Sequence, residues 1–209
     1  MADLLFPTSP TVKKLRAYYQ DKLENVDIAH IRDVLSKESD RAIAILAGSI
    51  LDDLLQYRIE KALHVEVTEA QARHIFRYEG PIGAFSHRIE IAYIFGIIDK
   101  LTARQLQLIR EMRNACAHSI FELSFDKPEL ANVAKMLFRS NGVIELLNDS
   151  AAGIRDALLR EFLTLIMILT LGSRESGIIW VTEHFPAWLA ENAPLPDRST
   201  LRQTPGRRE

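Results

Sequence analysis

Cysteine is almost absent from this sequence. Cys116 is the single one among 209 residues, so no disulfide can form within the chain, and a lone thiol is typical of proteins in the reducing cytosol. The amino terminus, MADLLFPTSP, lacks the basic segment and apolar run of a secretory signal peptide. We therefore expect a cytoplasmic protein.

An excess of one charge and a long apolar run are also missing. The formal net charge is −2, so the whole-chain field gives no reason to expect strong nonspecific binding to nucleic acid. The most apolar stretch, Phe162 to Leu171, is far shorter than the roughly 20 residues that span a bilayer. Charged residues border it at 160, 161 and 174. This stretch predicts a buried helix, and no membrane association is expected.

Sequence motifs for metals and phosphate loops are absent as well. The six histidines show no metal-ligand spacing, and one cysteine supplies no zinc cluster. Gly80 and Gly83 stand in EGPIG without a P-loop or dinucleotide fingerprint, and turn chemistry before a helix explains them better. No helix-turn-helix signature stands out. We predict neither a cofactor nor a metal.

Helical periodicity dominates what the sequence does contain. Hydrophobic residues make up 47% of the chain, and from 39 to 64 they recur at spacings of three and four, as on one face of a helix. Only FELSFD, at 121–126, alternates like a strand. We expect an all-α, single-domain bundle of about seven to nine helices, with N-terminal helices at 1–37, the main domain at 38–190 and a disordered tail at 191–209. The predicted helices start at Ser9, Asp27, Ser39, Thr68, Phe85, Thr102, Pro128, Asp149 or Ser150, and Ile178.

The segment RNACAH, at 113–118, carries the polar residues of greatest interest. Arg110, Asn114 and His118 are spaced by four and line a polar ridge of the predicted helix. Arg113 lies about 140° from His118 around an ideal helix. These two side chains therefore meet only if the helix ends near Ala117 or if a second subunit completes the site. The residues predicted to face the core are Leu108, Ile109, Met112, Ala115 and Cys116.

Two explanations of this segment stay open. In the first, His118 moves a proton, Arg113 holds a phosphate and Asn114 supports them, which is the chemistry of metal-free RNA cleavage. In the second, the segment is structural. Arg113 then pairs with Asp52 or Asp53, while Asn114 and His118 cap neighbouring backbone.

Four ordered blocks of sequence resemble the mannitol operon repressor (MtlR-like) family. They are ESDRAIAILAGSILDDLL at 38–55, YEGPIGAFSHRIEIAYIFGII at 78–98, LQLIREMRNACAHS at 106–119 and LSFDKPEL at 123–130. The resemblance implies that 38–190 is an MtlR-like helical domain. It also implies a cytoplasmic bacterial regulator that acts through protein partners, since no DNA-reading motif is evident.

The RNACAH segment is similar, in addition, to the Arg-x(4–6)-His pattern of HEPN domains, which are α-helical dimers that often act as ribonucleases. This resemblance implies catalytic roles for Arg113 and His118 and a supporting role for Asn114. We predict a non-enzymatic transcriptional regulator of the mannitol-repressor type that works as a dimeric protein-interaction module. The alternative is a HEPN-type, metal-independent endoribonuclease of a toxin or antiviral system. The expected partners are a second copy of the chain, another protein, and nucleic acid as operator DNA or RNA substrate.

Overall fold

A computed structural model describes residues 27–63, 66–77, 79–139 and 151–172. No strand occurs in these ranges, so the prediction of an all-α bundle is confirmed. The helices predicted to start at Ser9 and Ile178, the predicted helix start at 149 or 150, and the tail lie outside the described residues. The described helices are α1 (Ile28–Lys37), α2 (Asp40–Ala62), α3 (Glu69–Phe76), α4 (Phe85–Ile94), α5 (Lys100–His118), α6 (Pro128–Arg139) and α7 (Ala151–Leu171).

Helix α2 lies at the centre of the bundle and packs against α1, α4, α5 and α7. It begins after Ser39, whose hydroxyl accepts a hydrogen bond from the backbone N–H of Ala42, which is the usual role of a serine N-cap. Burying one leucine or isoleucine side chain contributes about 1.5–3 kcal/mol, so α2 supplies much of the hydrophobic stabilisation. Its buried residues are Ile43, Ala44, Ala47, Gly48, Leu51, Leu54, Leu55 and Ile59.

Helix α7 supplies the second large apolar surface. Phe162, Leu163, Leu165 and Ile166 are fully buried, as predicted for the stretch from 162 to 171. No helix in the described part of the chain is both long and apolar enough to cross a membrane. The run of apolar residues is therefore explained by packing against α2.

Most helices begin at the capping residue that the sequence indicates. Asp27 and Thr68 both stand at predicted helix starts. Asp27 accepts from the N–H of His30, and Thr68 and Gln71 form a reciprocal capping box. The helix predicted to start at Thr102 begins instead at Lys100, because an Asp99 carboxylate oxygen accepts from the N–H of Thr102 at 2.6 Å. The capping residue, Asp99, precedes the apolar stripe of the helix. A helix start taken from the apolar periodicity alone, at Thr102, is therefore too late in the sequence.

The segment with strand-like alternation, 121–126, does not form a strand, since these residues lie in the loop between α5 and α6. Phe125 is fully buried, and its backbone N–H donates to the Asp40 carboxylate at 2.8 Å. Phe121, by contrast, is 73% exposed. The same Asp40 carboxylate accepts from Arg155 of α7. The alternation in this segment therefore reflects a single buried anchor in a loop, and no neighbouring strand in the described ranges pairs with it.

Candidate functional site

Helix α5 presents its apolar stripe to the core largely as predicted. Ile109, Met112 and Cys116 are buried, and Leu108 packs against the core at its edge. Ala115 is exposed, so its predicted place in the core is wrong. The buried residues of α5 recur at positions 109, 112 and 116. Residue 115 precedes 116 by one position, so its side chain is rotated about 100° around the helix axis from that of Cys116, toward solvent.

Arg113 of α5 lies against Gly48 of α2. A Cβ placed on Gly48 of α2 would lie only 2.9–3.1 Å from the Cβ, Cγ and Cδ carbons of Arg113. The missing side chain of Gly48 therefore makes room for the aliphatic stem of Arg113, which runs against the α2 backbone. This contact fixes the stem and leaves the guanidinium half-buried at the edge of the helix pair.

A cavity of about 340 Å³ opens at this crossing, where α2, α5 and the first turn of α4 meet. Its lining includes Arg110, Arg113 and Asn114 from α5, Asp52 from α2, and residues 83–86. His118 is exposed, stands at the last position of α5, and does not belong to this lining. Of the three residues singled out from the sequence, the structure brings Arg113 and Asn114 together at one cavity and leaves His118 outside it.

The predicted ion pair between Arg113 and Asp52 or Asp53 is wrong, because Asp52 binds a different arginine. Arg88 of α4 donates to Asp52 Oδ1 at 2.6 Å, to the carbonyl oxygen of Phe76 at 2.9 Å and to that of Ile82 at 3.1 Å. One buried guanidinium thus joins α2, α4 and the turn that precedes α4.

That turn depends on a close backbone approach. A Cβ on Gly80 would lie 2.3 Å from the carbonyl oxygen of His74 and 2.4 Å from that of Ile75. Any larger residue would therefore force the chain apart and shift the Ile82 carbonyl that accepts from Arg88. The sequence interpretation of Gly80 as a turn glycine agrees with this geometry.

Two neighbouring carboxyls near the cavity are harder to ionise than in water. Burial raises the pKa of Asp52, and the Arg88 charge and hydrogen bond oppose this increase, with Arg113 adding a smaller opposing effect. The pKa of Asp53 is raised by partial burial of its carboxyl and by the charge of Asp52, and is opposed by Arg88 and Arg113. Burial therefore outweighs the attraction of the arginines at both groups.

The polar groups around the cavity are mainly hydrogen-bond donors with unused capacity. Arg110 is engaged by Gln107 and Glu111, but the side chains of Arg113 and Asn114 have no hydrogen-bond partner within the described ranges. Ala84 stands at the N-cap position of helix α4, and no side chain in the described part of the chain caps the helix there, so the first backbone N–H groups of α4 have no side-chain acceptor. The structural explanation also predicted that Asn114 and His118 cap neighbouring backbone. This prediction is wrong, since neither side chain caps backbone within the described ranges.

Cys116 is separate from this site and chemically protected. It is fully buried, and burial raises the pKa of its thiol, with the nearby Arg41 charge opposing the increase. A protonated, buried thiol is a poor nucleophile. Within the ranges that the structure describes, no group of three or more histidine, cysteine or carboxylate side chains is placed to hold a metal ion.

Sequence reasoning missed the central role of Arg88. The signal was present, because Arg88 lies three residues after Phe85 and four before Ala92, on the apolar face of α4 where a charged residue needs a partner. A second missed pair is Gln105 of α5 with Glu161 of α7, whose side chains hydrogen-bond in the core at 2.5 Å. Both pairs join residues far apart in the chain.

Comparison with known proteins adds one structural likeness. No protein-family model matches the sequence, and no curated protein matches it. A chain in the X-ray structure of the MtlR–HPr complex from Escherichia coli is similar, with a TM-score of 0.56 and 16% sequence identity over 68% of this chain and 98% of that one. The fold is therefore MtlR-like. The likeness concerns the fold and does not bear on the roles of Arg113, Asn114 and His118.

Proposed function

We propose that this protein is a non-enzymatic regulator of the mannitol-repressor type that works as a dimeric protein-interaction module. The observation that carries the proposal is its likeness to a chain of a complex between MtlR and a second protein, HPr, across nearly the whole of that chain. HPr, or a protein of the same kind, is accordingly the partner proposed for this chain.

Exposed apolar side chains support an interaction role. At the end of α4, Ile94 and Phe95 are each 71% exposed, and after α5, Ile120 and Phe121 are 88% and 73% exposed. We call the first pair the α4 patch and the second the α5 patch. Exposing adjacent large apolar side chains to water is energetically unfavourable unless a partner covers them. With two patches, one can contact a second copy of the chain and the other a partner protein.

The direct test is calorimetric titration of the purified protein with HPr, together with light scattering to determine the oligomeric state. We expect saturable binding and a dimer. Phe95→Ser and Phe121→Ser each remove one exposed aromatic ring. Whichever substitution lies at the HPr contact should weaken HPr binding by about tenfold or more. Arg104→Gln, an exposed change elsewhere on α5, is the control. Absence of HPr binding, combined with unchanged transcription of neighbouring genes when the gene is deleted, would contradict the proposal.

A HEPN-type, metal-independent endoribonuclease is the second candidate function. It is favoured by the guanidinium of Arg113, which lines a cavity beside Asn114 and pairs with no described carboxylate. His118 lies outside that cavity, so the chemistry requires a second subunit to bring it close. The test is whether the purified protein cleaves RNA and whether both His118→Ala and Arg113→Ala abolish the cleavage. If they do, the ribonuclease function takes the place of the regulator proposal, and the nucleic-acid partner is an RNA substrate instead of operator DNA.

A further inference from the structure

The cavity between α2, α4 and α5 has a distinct chemical character. Arg110, Arg113 and Asn114 reach it from α5, and the uncapped first turn of α4 borders it from another side. Nearly all of these groups donate hydrogen bonds. A ligand complementary to them carries several acceptor oxygens and a negative charge.

The one carboxylate in the lining, Asp52, does not cancel this character. Its charge is matched by Arg88 at 2.6 Å, and Glu111 likewise balances Arg110. Arg113 is the arginine of the lining that no described carboxylate pairs with. The lining therefore keeps the positive charge of the half-buried Arg113, opposed at a distance by the carboxylates of Asp52 and Asp53.

The number of donors and the volume narrow the class of ligand. The donors available are two N–H groups on one edge of a guanidinium, a side-chain amide and backbone N–H groups. Together they outnumber the hydrogen bonds that the two oxygens of a carboxylate accept, whereas a phosphate offers three terminal oxygens as acceptors. A volume of about 340 Å³ is at the lower end of small-molecule sites. It suits a small ligand and not a folded partner surface.

We propose that this cavity binds the phosphate group of a small phosphorylated ligand, held by Arg113 and Asn114 with Arg110 at its rim. The first turn of α4 contributes N–H groups and the positive end of its helix dipole, but the arginine and amide side chains carry the site. Gly48 matters indirectly, since it lets the stem of Arg113, a residue of the lining, lie against α2. The site does not depend on HPr binding, so it stands apart from the proposed function.

The experiment is titration of the full chain with inorganic phosphate, followed by phosphorus NMR or calorimetry at constant ionic strength, because exposed charges are screened by salt. We expect saturable binding at one site per chain. Arg113→Gln should weaken it at least about tenfold, as expected for loss of a charged hydrogen-bond donor. Arg113→Lys should lie between the two, because an ammonium keeps the charge but not the paired donors.

Two control variants and one further variant of the site decide the outcome. Arg104→Gln removes an exposed charge from the same helix and should leave phosphate affinity unchanged. His118→Ala should also leave it unchanged, and a loss there would place the phosphate at the predicted ribonuclease motif instead. Asn114→Ala disturbs no ion pair and should weaken phosphate binding severalfold. This variant tests the site if Arg113→Gln does not fold.

The proposal is overturned if binding does not saturate, if Arg104→Gln weakens it as much as Arg113→Gln, or if acetate binds as tightly as phosphate. The last result would assign the cavity to a carboxylate ligand. Failure of HPr to bind would leave this result intact, and failure of phosphate to bind would leave the HPr result intact, so the two proposals are tested separately.

Discussion

Replacing Arg88 with methionine tests how the structure around the cavity is held together. The Arg88 side chain is 8% exposed and its partner Asp52 is 15% exposed. Its guanidinium donates to Asp52 and to the carbonyl oxygens of Phe76 and Ile82. Methionine is also long and unbranched, so Arg88→Met removes the charge and the donors without opening a large cavity.

The expected cost at neutral pH is about 3–5 kcal/mol, the range for removing one partner of a buried ion pair. For a chain of this length, that lowers the melting temperature by on the order of 10 °C. Burial already raises the pKa of Asp52, and losing Arg88 removes the main opposing effect, so the pKa rises further. A carboxyl with a folded-state pKa above its unfolded value binds protons more readily when folded. The cost of Arg88→Met therefore shrinks as the pH falls from about 7 to about 5.

Urea unfolding followed by far-UV circular dichroism measures these free energies. Arg104→Met, at an exposed position of α5, is the matched control and should change stability by less than about 0.5 kcal/mol. Adding Asp52→Asn to Arg88→Met removes the stranded carboxylate and should recover about 1–2 kcal/mol. The reasoning is refuted if Arg88→Met costs no more than the control, or if neither acidification nor the second substitution relieves its effect.

Two further predictions follow from the packing of α2 and α5. Gly48→Ala gains up to about 1 kcal/mol of helix propensity but places a methyl group 2.9–3.1 Å from the Arg113 stem, where overpacking costs about 1–3 kcal/mol. We expect net destabilisation in urea unfolding, and a more stable variant would show that α5 moves away freely. Cys116 is fully buried with a raised pKa, so a thiol reagent should label it only at the rate of unfolding. Rapid labelling of the folded protein would contradict its placement in the core.

The parts of the fold that local sequence signals predict correctly are those that local physics controls. Asp27, Ser39 and the Thr68–Gln71 pair cap their helices because each side chain reaches a backbone N–H only three residues away. The apolar side chains from Phe162 to Leu169 are buried in the core, whereas Leu171 at the end of the run is 45% exposed. The strand-like alternation at 121–126 does not produce a strand, because a strand is stable only when a second strand pairs with it in a sheet.

The candidate site was predictable only in part. The segment from 113 to 118 was identified as polar, and a helix end near Ala117 was one of two conditions under which Arg113 and His118 could meet. Helix α5 ends at His118. Arg113 and Asn114 line one cavity, while His118 does not, because neighbours from α2 and α4 decide which side of α5 is enclosed. The pairing of Asp52 with Arg88 across 36 residues follows from the docking of α4 on α2, which no local pattern encodes.

The sequence by itself determined that this protein is an all-α bundle, where several of its helices begin, and that its apolar helices pack together. These properties depend on side-chain spacing and on hydrogen bonds a few residues long. Only the tertiary structure decided that Gly48 admits the Arg113 stem, that Arg88 binds the Asp52 carboxylate, and that Arg113 lines a cavity. Each of these depends on which helices touch, and contact between distant segments is set by the packing of the whole core.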